Sequence, residues 1–386
     1  MGPVLPVARI QAMAEEAVGA QRWEDFGRSR SLDFATTLAG VRCRINLYRT
    51  QRGMALAVRL LHAQTPTLER LNLHPDLKKL VQSQHGLVVL AGPTGSGKSS
   101  TLASLLHEIN QHQTRHVITL ERPIEYLFRP RKSHIRQREV GRDTPTFSRG
   151  LLDALREDPD VIVVGEMRSP RTIRLTLNAA ETGHLVLTTM HGGTPVDAVQ
   201  RIVSSFSPRI QHAVRAQLAE CLNAVCSQKL VYKENLGMRL PECEILVATH
   251  AVKNVLRSGQ FFKLDQMLET QSGGGMWSLR RYRAWIEQNE NWVLPADTRG
   301  VDSESLDPTE EDSGEVADAT PLRPRLLLRE KPPLSPELEV PANKDTSPSP
   351  KVPRPPDDDH AAPNVIEIQP TDESFKDILS EFEREK

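Results

Sequence analysis

The sequence predicts an α/β fold, a parallel sheet flanked by helices and preceded by a smaller α+β domain. Three observations predict it. Short apolar runs without alternation recur at GLVVLAG (86–92), HVITLE (116–121), VIVVGE (161–166) and HLVLTTM (184–190), as strands buried on both faces require. Helical patterns lie between these runs, and strand–helix alternation in this order argues a parallel sheet. Upstream, SRSLDFATTLAGVRCRINLYRTQRGMALAVRLL (29–61) alternates polar and apolar residues around a turn-prone Ala39-Gly40, which reads as antiparallel strands.

Taken in order, the first apolar run leads through a glycine-rich turn into KSSTLASLLHEINQ. There Leu102, Leu105, Leu106 and Ile109 recur at i, i+3, i+4 and i+7, one face of a helix. Further helical patterns lie around 145–157 and 169–182, then at 194–206 and 208–229, followed by a largely helical stretch to about 290. Composition breaks near 295. The last 92 residues hold 15 of the 28 prolines and two aromatics, Phe375 and Phe382. Mixed acids, serines and prolines bury too little apolar area to offset chain entropy, so 296 to about 370 is expected to lack regular structure. The chain closes on TDESFKDILSEFEREK, where Phe375, Ile378, Leu379 and Phe382 share a helical face behind Thr371 or Asp372 as N-cap.

Bulk properties exclude some classes. Lys+Arg of 49 against Asp+Glu of 50 gives no basic bias toward nucleic acid or anionic lipid. No segment approaches the roughly 18 consecutive apolar residues of a membrane span. The first residues lack a signal-peptide layout, so the chain reads as cytoplasmic. Cys43, Cys221, Cys226 and Cys243 form no CxxC pair, which leaves neither a zinc ribbon nor a redox couple. Cys221 and Cys226 fall within the 208–229 helical run and read as buried thiols.

The chemistry begins at GPTGSGKS (92–99), which fits GxxxxGK[ST] after a strand and opens a helix. Glycines let backbone N–H groups converge on phosphate oxygens, and the helix N-terminus adds positive potential. Gly92, Pro93, Thr94, Gly95, Ser96, Gly97, Lys98, Ser99 and Ser100 are thus the candidate nucleotide cradle. Lys98 is expected to reach the β and γ phosphates of ATP, and Ser99 to hold Mg²⁺. VIVVGE delivers a second carboxylate, Glu166, to the metal or its water shell. TLERPIEY ends the intervening strand with Glu121 and Glu125, and carboxyl-end loops of such strands face the nucleotide. Both glutamates are expected to point toward the site where water is polarised, a task for which one placed carboxylate suffices. His184 and His191 bracket the 184–190 strand, about 23 Å apart at roughly 3.3 Å per residue. They cannot share a metal. His191 is placed to contact a γ-phosphate, and His184 reads as structural.

Four blocks in order, GPTGSGKSS, TLERPIEY, ALREDPDVIVVGEMR and AAETGHLVLTTMH, resemble the secretion ATPase superfamily, most closely the type IV pilus retraction ATPases (the PilT group). QREVGRDT (137–144), RIV (201–203) and AVKNVLRSG (251–259) extend the resemblance, which covers about residues 30 to 285. It implies a homohexameric motor whose subunits have a shortened PAS-like N-terminal domain (1–75), a RecA-like P-loop domain with C-terminal helices (76–292) and a Pro-rich tail (293–386). By the same resemblance Lys98 and Ser99 hold phosphate and Mg²⁺, Glu125 is the catalytic glutamate, Glu166 is the Walker B acid, and His184 with His191 form the His box. Arg42, Arg44 and Arg59 are candidates for an arginine finger. The implied partners are an inner-membrane pilus platform protein and a paralogous pilus ATPase, at the cytoplasmic base of the pilus machine. Two further readings are an ATP-binding accessory subunit that regulates a paralogue, and a type IV secretion ATPase. Departures from the family pattern are Arg122 in place of an Asp, a short N-terminal domain and the tail. Arg122 inverts a charge near the nucleotide and is expected to affect Mg²⁺ handling or to pair with Glu121 or Glu125.

Overall fold

The computed structural model describes residues 7–294, apart from 39, 52, 62–64 and 272, together with the backbone of 366 and 367. The N-terminal part is two helices, α1 (Val7–Val18) and α2 (Ala20–Ser29), on an antiparallel sheet of β1 (Ser31–Leu38), β2 (Val41–Thr50) and β3 (Gly53–Leu60). Ala14 and Phe26 from the helices meet Phe34, Cys43, Ile45 and Leu47 from the strands in one small core. Alternation sends Cys43, Ile45 and Leu47 inward, which leaves Arg42 and Arg44 on the opposite face.

The second part is a seven-stranded sheet. Its strands are β4 (Gly86–Ala91), β5 (His116–Glu121), β6 (His134–Glu139), β7 (Val161–Val164), β8 (Leu185–Met190), β9 (Leu222–Lys233) and β10 (Met238–Val247), in spatial order β10-β9-β4-β8-β7-β5-β6. All neighbours are parallel except β10 on β9. Helices α3 (Lys98–His112), α4 (Phe147–Ala154), α5 (Pro170–Glu181), α6 (Pro195–Ser204), α7 (Pro208–Cys221), α8 (His250–Ser258), α9 (Phe262–Thr270) and α10 (Leu279–Gln288) accompany it. β4, β7 and β8 are buried along their whole length. Leu87 and Val89 of β4 join one core with Ile173 of α5 and Val199 of α6, whereas Val88 and Leu90 join the other with Leu105 of α3 and Tyr282 of α10. Two covered faces explain why these strands read as unbroken apolar runs.

Three differences from the sequence reading have physical causes. The helix expected over 208–229 stops at Cys221, and the chain turns directly into β9, so Cys226 lies on a strand. Apolar residues spaced for a helix also suit a strand buried on both faces, and here the strand paired with β4 wins. The "largely helical" stretch to 290 consequently contains the β9–β10 hairpin. β6 escaped notice because, as an edge strand, HIRQRE buries few of its side chains. All four cysteines are free and buried, as expected for Cys221 and Cys226.

In the tail, Ile366–Glu367 forms β11 and pairs antiparallel with Val58 and Ala57 of β3, within the span expected to lack regular structure. The local NVIEI is rich in β-branched residues, and β3 offers an open edge. The remaining tail, including the expected terminal helix, lies outside the described residues. Among the described residues no helix is long and apolar enough to cross a membrane.

Candidate nucleotide site

The parallel topology carries the ends of β4, β5, β7 and β8 to one edge of the sheet, and each ends in a quoted motif. After β4 the chain makes the turn 92–97 with Gly92 at φ 148°, Gly95 at φ 77° and Gly97 at φ 86°, conformations that favour glycine. A Cβ on Gly92 would strike the carbonyl oxygen of Gln228, and one on Gly97 would stand 2.8 Å from Gln228 Nε2. Gly95 has open space on its Cβ side, so the loop is closed toward β9 and open at its crest. Lys98 begins α3, and its Nζ donates to the carbonyls of Gly92 and Pro93 at 2.8 and 2.7 Å. Burial lowers the Lys98 pKa, and Glu166 opposes that shift, which sets the two groups in one electrostatic neighbourhood. Ser99 is exposed, while Ser96 is 3 % exposed with its Oγ unpartnered. Ser100 Oγ and Tyr126 hydroxyl share a 2.8 Å hydrogen bond that ties α3 to the acidic box.

Glu166 follows β7. Its Oε1 is buried, 2.7 Å from Arg168 Nε and 3.1 Å from His191 Nε2. Thr189 Oγ1 donates to Gly165 O at 2.6 Å and Met167 N to Thr189 O at 3.0 Å, fastening the Glu166 loop to the end of β8. His191 thus joins the site. His184 does not: its Nδ1 lies 3.0 Å from Ala179 O, at the start of β8.

The acidic box after β5 separates its two carboxylates. Glu121 Oε1 accepts from Thr119 Oγ1 at 2.7 Å and Gln137 Nε2 at 3.1 Å, and burial raises its pKa to about 7. That corrects the expectation that both glutamates face the water: Glu121 is held inward as part of the scaffold. Glu125 Oε1 receives Arg44 Nη1 at 3.1 Å, and Arg44 also grips Asp33 through Nε and Nη2 at 3.2 and 2.7 Å. Arg42 Nη2 donates to Ile124 O at 2.7 Å. Arg122 is exposed and, among the described residues, pairs with neither Glu121 nor Glu125, which corrects that expectation. Arg59, opposite Arg44 in the β2–β3 register, is exposed, and its side chain has no ion pair or hydrogen bond among the described residues.

Sequence reasoning missed Gln137, Tyr126, Arg168 and Gln228. Gln137, Tyr126 and Arg168 lie within the quoted QREVGRDT, TLERPIEY and ALREDPDVIVVGEMR, which was the available signal, whereas Gln228 lies in no quoted motif.

The chemistry of the donors suits a hard cation. Ser99 offers a hydroxyl and Glu166 a carboxylate, and among the described residues no group of three His, Cys, Asp or Glu could hold a metal alone. Mg²⁺ needs no such cage, because it is held by one or two protein oxygens with phosphates and waters.

A phosphate-cradling loop between a parallel strand and a helix, with an acidic residue at the next strand but one, defines a P-loop ATPase. The family described as "Type II/IV secretion system protein" matches residues 4–258, and the chain belongs to it. It is 46 % identical over 64 % of its length to the "Uncharacterized protein YggR" of Escherichia coli, covering 75 % of that protein. It is 38 % identical over 72 % of its length to the "Type IV pilus retractation ATPase PilT" of Pseudomonas aeruginosa, covering 80 % of it. The crystal structure of the "Pilus Retraction Motor PilT and Bound ADP" aligns with 77 % of this chain and 85 % of that one at 35 % identity, with a TM-score of 0.65.

Proposed function

We propose that this ATPase is a homohexameric motor that powers retraction of type IV pili, and with it twitching motility, from the cytoplasmic face of the inner membrane. A membrane platform protein is the point where its work is delivered in this reading, and a paralogous pilus ATPase is the second component. The reading is supported by the likeness to the retraction ATPase and the retraction-motor structure named above, whose activity is transferred here. The observation that carries it is that the Lys98 loop and the Glu166–His191 pair lie on one sheet edge, with Glu125 bound by Arg44.

In this reading the P-loop N–H groups and Lys98 bind and orient the phosphates of ATP. Ser99 and Glu166 would hold Mg²⁺, which would supply positive charge against the phosphate oxygens. Glu125 aligns the attacking water and takes its proton, and water aligned this way needs little further chemistry from the protein. His191, hinged to Glu166, reports the γ-phosphate. Arg59 or Arg44 supplies positive charge to a neighbouring subunit's nucleotide.

The test is genetic and biochemical together. Cells lacking the chain should lose surface spreading while still bearing pili, and Lys98→Ala, inactive as a purified ATPase, should not restore it. Pilus retraction at normal speed without this chain would overturn the reading.

A further inference from the structure

Gln228, within β9, is 4 % exposed and belongs to none of the motifs that point to the site. Its side chain crosses to the P-loop. Nε2 donates to Ser96 O at 2.7 Å, and Oε1 accepts from Thr101 Oγ1, in the first turn of α3, at 2.7 Å. The weak donor Cys243 Sγ lies 3.9 Å from the same Oε1. Gln228 also supplies the carbonyl that closes the space beside Gly92.

In a trans peptide the C=O and N–H point opposite ways. Drawing Ser96 O toward Gln228 therefore turns the following N–H, that of Gly97, away from β9 and toward the phosphate cradle. Glutamine offers a donor and an acceptor on one uncharged planar group. Both are used here, and a buried partner left unpaired carries the full desolvation penalty. The residue before it faces the other side of the sheet. There Ser227 Oγ donates to Gly193 O at 2.8 Å, in the loop that follows His191. β9 lies level with the end of β4, Ser227 opposite Ala91. The phosphate cradle and the His191 loop thus hang from adjacent residues of one strand.

We propose that Gln228 is a positioning residue for the triphosphate: it sets the P-loop peptide from behind, while Ser227 holds the His191 loop from the opposite face. This rests on the ATPase reading above. A shift of β9 moves both loops together, and β9 continues through the hairpin to β10 and on to α8.

The test is nucleotide affinity, with a fluorescent ATP analogue, beside kcat and KM, on the full chain and on Q228M, T101V and the double variant. Methionine keeps the volume and removes both hydrogen bonds. Q228M should raise Kd and KM about tenfold, the weight of a net hydrogen bond to a buried group, with kcat nearly unchanged. The double variant should be no worse than Q228M, because Thr101 acts through the same amide. A merely structural role would lower Tm and leave Kd alone, so a folded Q228M with wild-type Kd overturns the proposal. If Q228M fails to fold, T101V decides: a raised Kd supports the proposal and a wild-type Kd overturns it. A wild-type chain that binds no ATP analogue overturns the ATPase reading itself, and this proposal with it.

Discussion

Arg44 Nη1 stands 3.1 Å from Glu125 Oε1. The pair joins a strand of the N-terminal sheet to the loop that carries the proposed catalytic carboxylate, and Asp33 holds the other side of the guanidinium. A planar fork held on both sides fixes the direction of the carboxylate it meets, which a lysine cannot do. Arg44→Ala is therefore expected to lower kcat about 10²-fold through misplacement of Glu125, with ATP affinity little changed. Arg44→Lys should recover only part of the loss. Steady-state kinetics beside equilibrium binding checks both.

Arg59 is the finger candidate with no partner among the described residues of its own chain, whereas Arg42 and Arg44 are engaged. Arg59→Ala should leave stability within about 0.5 kcal/mol, as for an exposed site. If Arg59 serves a neighbouring nucleotide, turnover of the assembled protein falls about 10³-fold or more. Normal turnover would assign the role to another arginine.

Glu121 sets a pH dependence. Burial raises its folded-state pKa from 4.5 to about 7, so folding disfavours the charged form. The stability it contributes is fully present below pH 4.5 and lost as pH rises through about 7. Glu121→Gln keeps the acceptor that Thr119 and Gln137 use, and removes the charge. Its Tm should exceed the wild type's by a few degrees at pH 8 and converge with it near pH 4.5, the lower end of this window. Thermal melts at three pH values measure this, and a constant difference would place the shift elsewhere.

How much of this was legible in the sequence follows from what each signal depends on. β4, β5, β7 and β8 announced themselves because burial on both faces leaves few polar positions and no alternation. β9, largely buried over its first half, was read as helix, since Leu218, Cys221, Leu222 and Val225 satisfy helical spacing while the pairing that decides the matter is with β4, where Leu87 lies 135 residues upstream of its partner Leu222. Lys98 was legible because GxxxxGK[ST] fixes its place at the start of α3, and Glu166 and His191 because each follows a strand whose direction the alternation implied. By strand position alone Glu121 and Glu125 looked equivalent, and only the family resemblance singled out Glu125. What separates them is Gln137 from β6 on one side and Arg44 from β2 on the other, contacts across the fold that no local spacing encodes.

The central claim is that Lys98, Glu125, Glu166 and His191 serve one ATP. Its most direct test is ATP turnover by Glu125→Gln, measured beside ATP binding on the same preparation. The account predicts turnover reduced about 10²- to 10⁴-fold, the range for a positioned general base, with binding retained. Turnover at the wild-type rate by a folded Glu125→Gln protein would contradict it.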